Sequence, residues 1–94
     1  MYVVHVEMIT RPGEQEAMVK TFREVFRPAI SKQQGFVETS LLQPLDGKGD
    51  PRLTIAFENR ELQLKWVATD LHQVVWPKMQ SHTSDTVINY YDSV

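Results

Sequence analysis

A chain of 94 residues with a formal charge of −2 is the length of one small domain, and we expect residues 1–94 to form it. The 10 basic and 12 acidic side chains form no Lys/Arg cluster, which argues against a nucleic-acid partner. The absence of cysteine excludes disulfides, thiolate metal sites and cysteine nucleophiles. It is compatible with a reducing compartment, so we expect a cytoplasmic protein.

The N-terminal sequence does not have the features of a leader peptide. It lacks a basic region and a cleavage site of small residues, so we expect no signal peptide. No apolar run approaches the ~20 residues of a membrane span, so we expect no membrane partner.

The first two predicted elements are a strand and a long helix. Residues 2–10 are rich in Val, Ile and Tyr and alternate as a strand does, with both faces largely apolar. Pro12 and Gly13 end this strand, and an apolar stripe of helical period covers residues 14–33. Pro28 lies inside the stripe and lacks a backbone donor, which predicts a kink or a second short helix there.

The middle of the chain predicts a hairpin. Gly35 is placed to end the first helix, and residues 36–43 follow as a strand. Residues 44–51 consist mostly of turn-forming residues and predict an exposed loop. Residues 52–58 alternate cleanly as the partner strand, and after a second helix the last strand covers about residues 86–91.

The resulting order, β-α-β-β-α-β, predicts a ferredoxin-like α+β fold. Such a fold has a four-stranded antiparallel sheet with both helices on one face and nothing on the other. Because strands one and four have no fully polar face, we expect a second copy to cover the bare face in a homodimer.

The second helix, predicted over residues 60–79, is apolar on two sides. At about 100° per residue, one side is wide enough for a core face and contains Leu64, Val67, Ala68, Leu71, Val74 and Val75. The roughly opposite side contains Leu62, Trp66, Thr69, Gln73 and Trp76, with His72 between the two sides. A surface helix needs only one apolar stripe, so the second must face a cavity or a partner chain.

The ordered motifs resemble the antibiotic-biosynthesis monooxygenase superfamily. They are the strand from Val6 to the Pro-Gly turn at Gly13, the Gly35-Phe36 pair, and the strings FENRELQLKW and TDLHQVVWP. The resemblance covers essentially the whole chain and implies a dimeric α+β barrel. It also implies a small aromatic substrate and no cofactor, since cofactor-free members oxidise phenolic or quinol substrates directly with O2.

The heme-degrading branch of this superfamily is disfavoured residue by residue. It requires a histidine ten residues after the helix tryptophan, where this chain has Trp76. It also requires an asparagine on the first strand, and the matching position here is Val6.

The resemblance and the helix pattern together predict a substrate-binding and catalytic site on the second helix. Trp66 and Trp76 are predicted as flat walls for an aromatic ligand, with Gln73 beside them as a further substrate-binding residue. His72 is predicted as the acid/base, because an imidazole titrates near neutrality and can accept a phenolic proton. The alternative is that the tryptophans are buried in an interface and that His72 faces solvent.

The remaining candidates are weaker. His5, Glu7, His72 and His82 lack the spacing of a metal site, so no metal is expected. His5 and Glu7 share one strand face, where an interface hydrogen bond or ion pair is favoured over a catalytic pair. Tyr90 and Tyr91 can donate into a pocket or pack at the sheet edge.

The favoured function is therefore a cofactor-independent monooxygenase of a phenol- or quinol-like molecule. One alternative is a non-catalytic ligand-binding or interaction dimer on the same fold. Another is a sugar-mutarotase-like isomerase, because His72 to Pro77 (HQVVWP) is similar to a segment of those enzymes.

Overall fold

The elements of the structure follow the predicted order. The computed structural model describes all 94 residues. The elements are β1 (Tyr2–Thr10), α1 (Gln15–Thr21), a π-helical segment (Phe22–Phe26), α2 (Arg27–Ile30), β2 (Phe36–Leu42), β3 (Arg52–Phe57), α3 (Arg60–Val67), α4 (Asp70–Gln80) and β4 (Thr83–Asp92). The ferredoxin-like α+β fold is thereby confirmed.

The four strands form one antiparallel sheet in the order β2-β3-β1-β4. β1 lies inside the sheet, with Val4 opposite Ile55 of β3 and Tyr90 of β4. β4 is an edge strand, paired on one side only. Its helix-facing residues therefore have sheet neighbours on one side and remain accessible on the other.

The hydrophobic core lies between one face of the sheet and the helices. Alternate residues of β1 and β3 point into it, as the period of two requires. The core side chains are Val4, Val6, Met8, Leu53, Ile55 and Phe57 from the strands, and Met18, Phe22, Phe26, Ala29, Ile30, Trp66, Val75 and Met79 from the helices.

The opposite face of the sheet has no helix over it. On β1 this face carries Val3, His5 and Ile9, all partly accessible. On β4 it carries Val87 and Tyr91, which are 41% and 47% exposed. The face also carries polar side chains such as Glu7 and Asn89, so it is uncovered and mixed in character, without being fully polar, as the pattern of the first and last strands predicts.

The irregularity expected near Pro28 is present. Pro28 has no N–H to donate to the carbonyl of Glu24, so a regular α-helix cannot continue through it. The five residues before Arg27 form the π-helical segment, and α2 contains the proline. The π-helical segment brings the Phe26 ring to within 6.2 Å of the Trp76 ring, between their centroids.

The second helical region differs from the expectation of one continuous helix. α3 ends at Val67, and Thr69 has an extended backbone with φ −74° and ψ 152°. The predicted core stripe was also wrong in part, since Leu64, Leu71 and Val74 are 48%, 42% and 53% exposed. Only Val75 of that stripe is fully buried, and Trp66 from the opposite stripe is 2% exposed.

Candidate functional site

An apolar cavity of about 200 Å³ lies between the sheet and helices α3 and α4. Its sheet wall is formed by Val4, Val6, Ile55, Ile88 and Tyr90. Its helix wall contains Phe26, Gln63, Trp66, Val67, His72 and Trp76. A concave, mostly apolar space with a few polar groups is the usual form of a small-molecule site.

Two tryptophans and one histidine form an aromatic cluster on the helix wall. The ring centroids of Trp66 and His72 are 5.1 Å apart, and the rings meet edge to face at 82°. The His72 and Trp76 rings are 6.5 Å apart and nearly parallel, at 26°. The structure therefore brings together three of the residues that the sequence predicted for the site.

Thr69 fixes two members of this cluster relative to each other. Its Oγ1 donates to the carbonyl of Trp66 at 2.7 Å and accepts from the backbone N–H of His72 at 3.1 Å. One hydroxyl thus closes the end of α3 and caps the start of α4. The break between the helices, rather than a continuous helix, sets the angle between the Trp66 and His72 rings.

His72 is partly buried in the cavity wall, and this burial changes its protonation. Burial against the indoles removes water from the imidazole and lowers its pKa below the usual 6.5. The neutral imidazole therefore dominates at neutral pH, and a neutral imidazole can accept a proton.

Gln73 lies outside the cavity. It is exposed, and its Nε2 donates to the carbonyl of Val67 at 2.9 Å. This hydrogen bond gives a partner to a backbone carbonyl at the C-terminal end of α3. The same nitrogen lies 3.4 Å from Nδ1 of His72. This distance is longer than an ordinary hydrogen bond, so the contact does not fix the tautomer of the imidazole.

Gln63 is a cavity residue that the sequence reasoning missed. It is 8% exposed, it lines the cavity, and its side-chain amide has no hydrogen-bond partner within the protein. No fully buried side-chain nitrogen or oxygen of the protein lacks a hydrogen-bond partner, so the Gln63 amide is accessible and free to bond to water or to a polar ligand atom. The available signal was its position three residues before Trp66, on the same helix face.

The other histidines lie elsewhere. His5 is on the bare sheet face, with its ring 5.1 Å from that of Tyr91. His82 joins the start of β4 to α1, with Nε2 2.8 Å from the Thr21 hydroxyl and Nδ1 3.2 Å from Glu14 Oε1. No group of three or more His, Asp or Glu side chains is placed to hold a metal ion.

The sequence pattern of the antibiotic biosynthesis monooxygenases matches residues 1–76. The chain belongs to the antibiotic biosynthesis monooxygenase family. This confirms the resemblance drawn from the motifs. The matched range includes all of the helix-wall residues, whereas Ile88 and Tyr90 of β4 lie beyond it.

Solved structures of several bacterial proteins have the same fold. A Nitrosomonas europaea protein named as an antibiotic biosynthesis monooxygenase is 18% identical, with a TM-score of 0.84 over 100% of this chain and 99% of that one. A similarly named protein of Caulobacter crescentus is 16% identical, with a TM-score of 0.83 over 99% and 89%. SnoaB from Streptomyces nogalater, a cofactor-independent oxygenase, is 14% identical, with a TM-score of 0.83 over 98% and 92%.

No curated protein matches the sequence of this family member. The identities to the solved structures are low, so these structures establish the fold and leave the chemistry to the site itself.

None of the helices combines the length and apolar composition that crossing a lipid bilayer requires.

Proposed function

We propose that the chain is a cofactor-independent monooxygenase that oxidises a small phenol- or quinol-like molecule with O2. The observation that carries this proposal is the cavity: two indoles face it, together with a single imidazole whose pKa is lowered by burial. The family assignment and the fold shared with the cofactor-independent oxygenase SnoaB support it.

The volume of the cavity limits the size of the substrate. Pockets for drug-sized ligands measure roughly 300–1,000 Å³, and an engineered cavity of about 150 Å³ binds benzene. At about 200 Å³, the cavity accommodates one aromatic ring or two small fused rings. Larger polycyclic substrates would have to extend beyond it.

The proposed reaction needs no cofactor because the substrate supplies the electrons. His72 accepts the phenolic proton, and the electron-rich phenolate passes one electron to O2. The resulting radical pair combines to form a carbon–oxygen bond, and the O–O bond then breaks with loss of water. One oxygen atom enters the substrate, which loses two hydrogens, and the second oxygen leaves with them as water.

The other side chains of the cavity bind and orient the substrate in this proposal. Trp66 and Trp76 provide flat apolar surfaces for the ring. The amide of Gln63, which lines the cavity, donates to, or accepts from, a second oxygen of a quinol. The apolar walls exclude water and strengthen the interactions of the phenolate inside the cavity.

The test combines binding with turnover. Hydroquinone and methylhydroquinone are titrated against tryptophan fluorescence, and O2 consumption is followed with an oxygen electrode. We expect saturable quenching, and O2 uptake above the rate without protein. Saturable quenching without added O2 uptake would favour the non-catalytic ligand-binding alternative. The absence of both would refute the proposed site.

We also propose that two copies pack through the uncovered sheet face to form a homodimer. A domain of this size buries only part of its apolar surface alone, and Val3, Val87 and Tyr91 would gain burial in such a dimer. The same face carries His5, which in a dimer has an interface role rather than a catalytic one.

A further inference from the structure

An open groove of about 560 Å³ continues from the cavity toward solvent. Gln63, Val67 and Tyr90 line both spaces, so they form the passage between them. The groove differs from the cavity in chemistry, because Arg60 and Asp92 line it and no charged side chain lines the cavity.

Arg60 has a free guanidinium group. The ion pairs of the protein involve only Arg11, Glu14 and His82, and Arg60 donates no side-chain hydrogen bond. An arginine of this kind can bind a carboxylate with two parallel hydrogen bonds. Asp92 is the only acidic side chain of the groove, and it does not pair with Arg60.

The two spaces are connected along α3. Arg60, Gln63 and Trp66 are each three residues apart, so neighbouring members of the series are adjacent on the helix surface, while the whole series turns by about 120° around the helix axis. The rise between neighbours in this series is roughly 4.5 Å. A ring against Trp66 therefore places a substituent beside Gln63, and a short arm reaches the level of Arg60.

We infer that Arg60 binds the carboxylate of an arm on the substrate, so the substrates are phenols or quinols with a short carboxylate-bearing arm. This inference rests on the proposed function, since it requires the ring to occupy the cavity. Asp92 lies in the same groove and repels anions, which favours a singly charged carboxylate over a doubly charged phosphate. Tyr2, whose ring stacks with that of Tyr90 at 6.2 Å, forms an apolar side of the passage.

The test compares a carboxylate ligand, 3-(2,5-dihydroxyphenyl)propionate, with its uncharged methyl ester, which has the same ring and the same arm. Their Kd values are measured by tryptophan fluorescence at low ionic strength. We expect the acid to bind about fivefold more tightly than the ester, the size of effect that a solvent-accessible ion pair gives. Added salt should reduce this preference.

Variants identify the source of the preference. Arg60→Gln should abolish it, Arg60→Lys should keep part of it, and Asp92→Asn should increase it. Arg23→Gln is the matched control, because it removes the same charge from an exposed arginine that lines a different surface. It should leave the preference unchanged.

The outcomes separate this inference from the proposed function. Equal, saturable binding of acid and ester by the unmodified protein would overturn the role of Arg60 and leave the cavity as the ring site. A preference for the acid that survives Arg60→Gln would also overturn it. If neither ligand quenches the tryptophans and no O2 is consumed, both proposals fail.

Discussion

His72 shows how much of the proposed chemistry depends on the surroundings of one side chain. In water an imidazole has a pKa near 6.5 and is partly protonated at pH 6. Burial beside Trp66 and Trp76 disfavours the charged form and lowers this pKa. The position of the residue could be read from the sequence, but the direction of the shift follows only from its packing.

The pH profile of turnover tests this role. We expect kcat/KM to fall on the acidic side with a midpoint below 6.5, because the base stays neutral until its lowered pKa is reached. His72→Gln should reduce kcat/KM by about 100-fold or more and remove this acidic limb. His82→Gln, which changes a histidine outside the cavity, should retain the limb. An unchanged limb in His72→Gln would refute the role of the residue.

The lowered pKa of His72 also makes the free energy of unfolding depend on pH. The unfolded chain binds the proton at about 6.5 and the folded chain only at lower pH, so the unfolded state binds more protons between the two values. The contribution of neutral His72 is therefore complete above pH 6.5. It decreases as the pH falls from there to the lowered pKa of the folded state.

At the scale of the elements, the break between α3 and α4 decides which side chains reach the cavity. A helical wheel drawn through residues 60–79 assumes a constant 100° advance, and Thr69 interrupts it. The wheel therefore placed Gln73, which follows the break, with the tryptophans. The strands were easier to predict, because their alternation depends only on which sheet face is buried.

Close contacts between elements also restrict which residue fits at a given backbone position. Gly35, which packs against Leu62 of α3, allows this to be tested. Gly35 has φ +80°, and a Cβ on it would overlap the Leu62 side chain, with the Leu62 Cβ only 2.9 Å away. Gly13 has φ +82° but open space around it. Gly13→Ala should cost about 1–2 kcal/mol from backbone strain alone, and Gly35→Ala roughly 1–3 kcal/mol more.

Urea unfolding of the two variants measures the difference in the free energy of unfolding. Equal losses would show that α3 can move away from Gly35, which would contradict close packing between the start of β2 and this helix.

At the scale of the whole molecule, the uncovered sheet face predicts self-association. Val87→Lys places a charge in the proposed dimer interface and should weaken the dimer by about 100-fold or more. Val74→Lys is the matched control, because Val74 is 53% exposed on α4, away from the sheet. Size-exclusion chromatography coupled to light scattering measures the molar mass of each variant in solution and so distinguishes monomer from dimer. A monomeric unmodified protein, or a dimer that tolerates Val87→Lys, would contradict this interface.

The sequence by itself determined the order of the elements, the fold class and the family. Strand alternation, turn glycines and an interrupted helix stripe are local signals, so they can be read without knowing how distant segments pack. It also singled out Trp66, His72 and Trp76, because a helix with a second apolar side that carries two tryptophans, and a histidine beside it, is unusual. Only the tertiary structure decided that these three share one cavity, that Gln63 joins them and that Gln73 does not. The physical reason is that the angle between α3 and α4 depends on the Thr69 cap and on packing against the sheet, and neither follows from residue spacing.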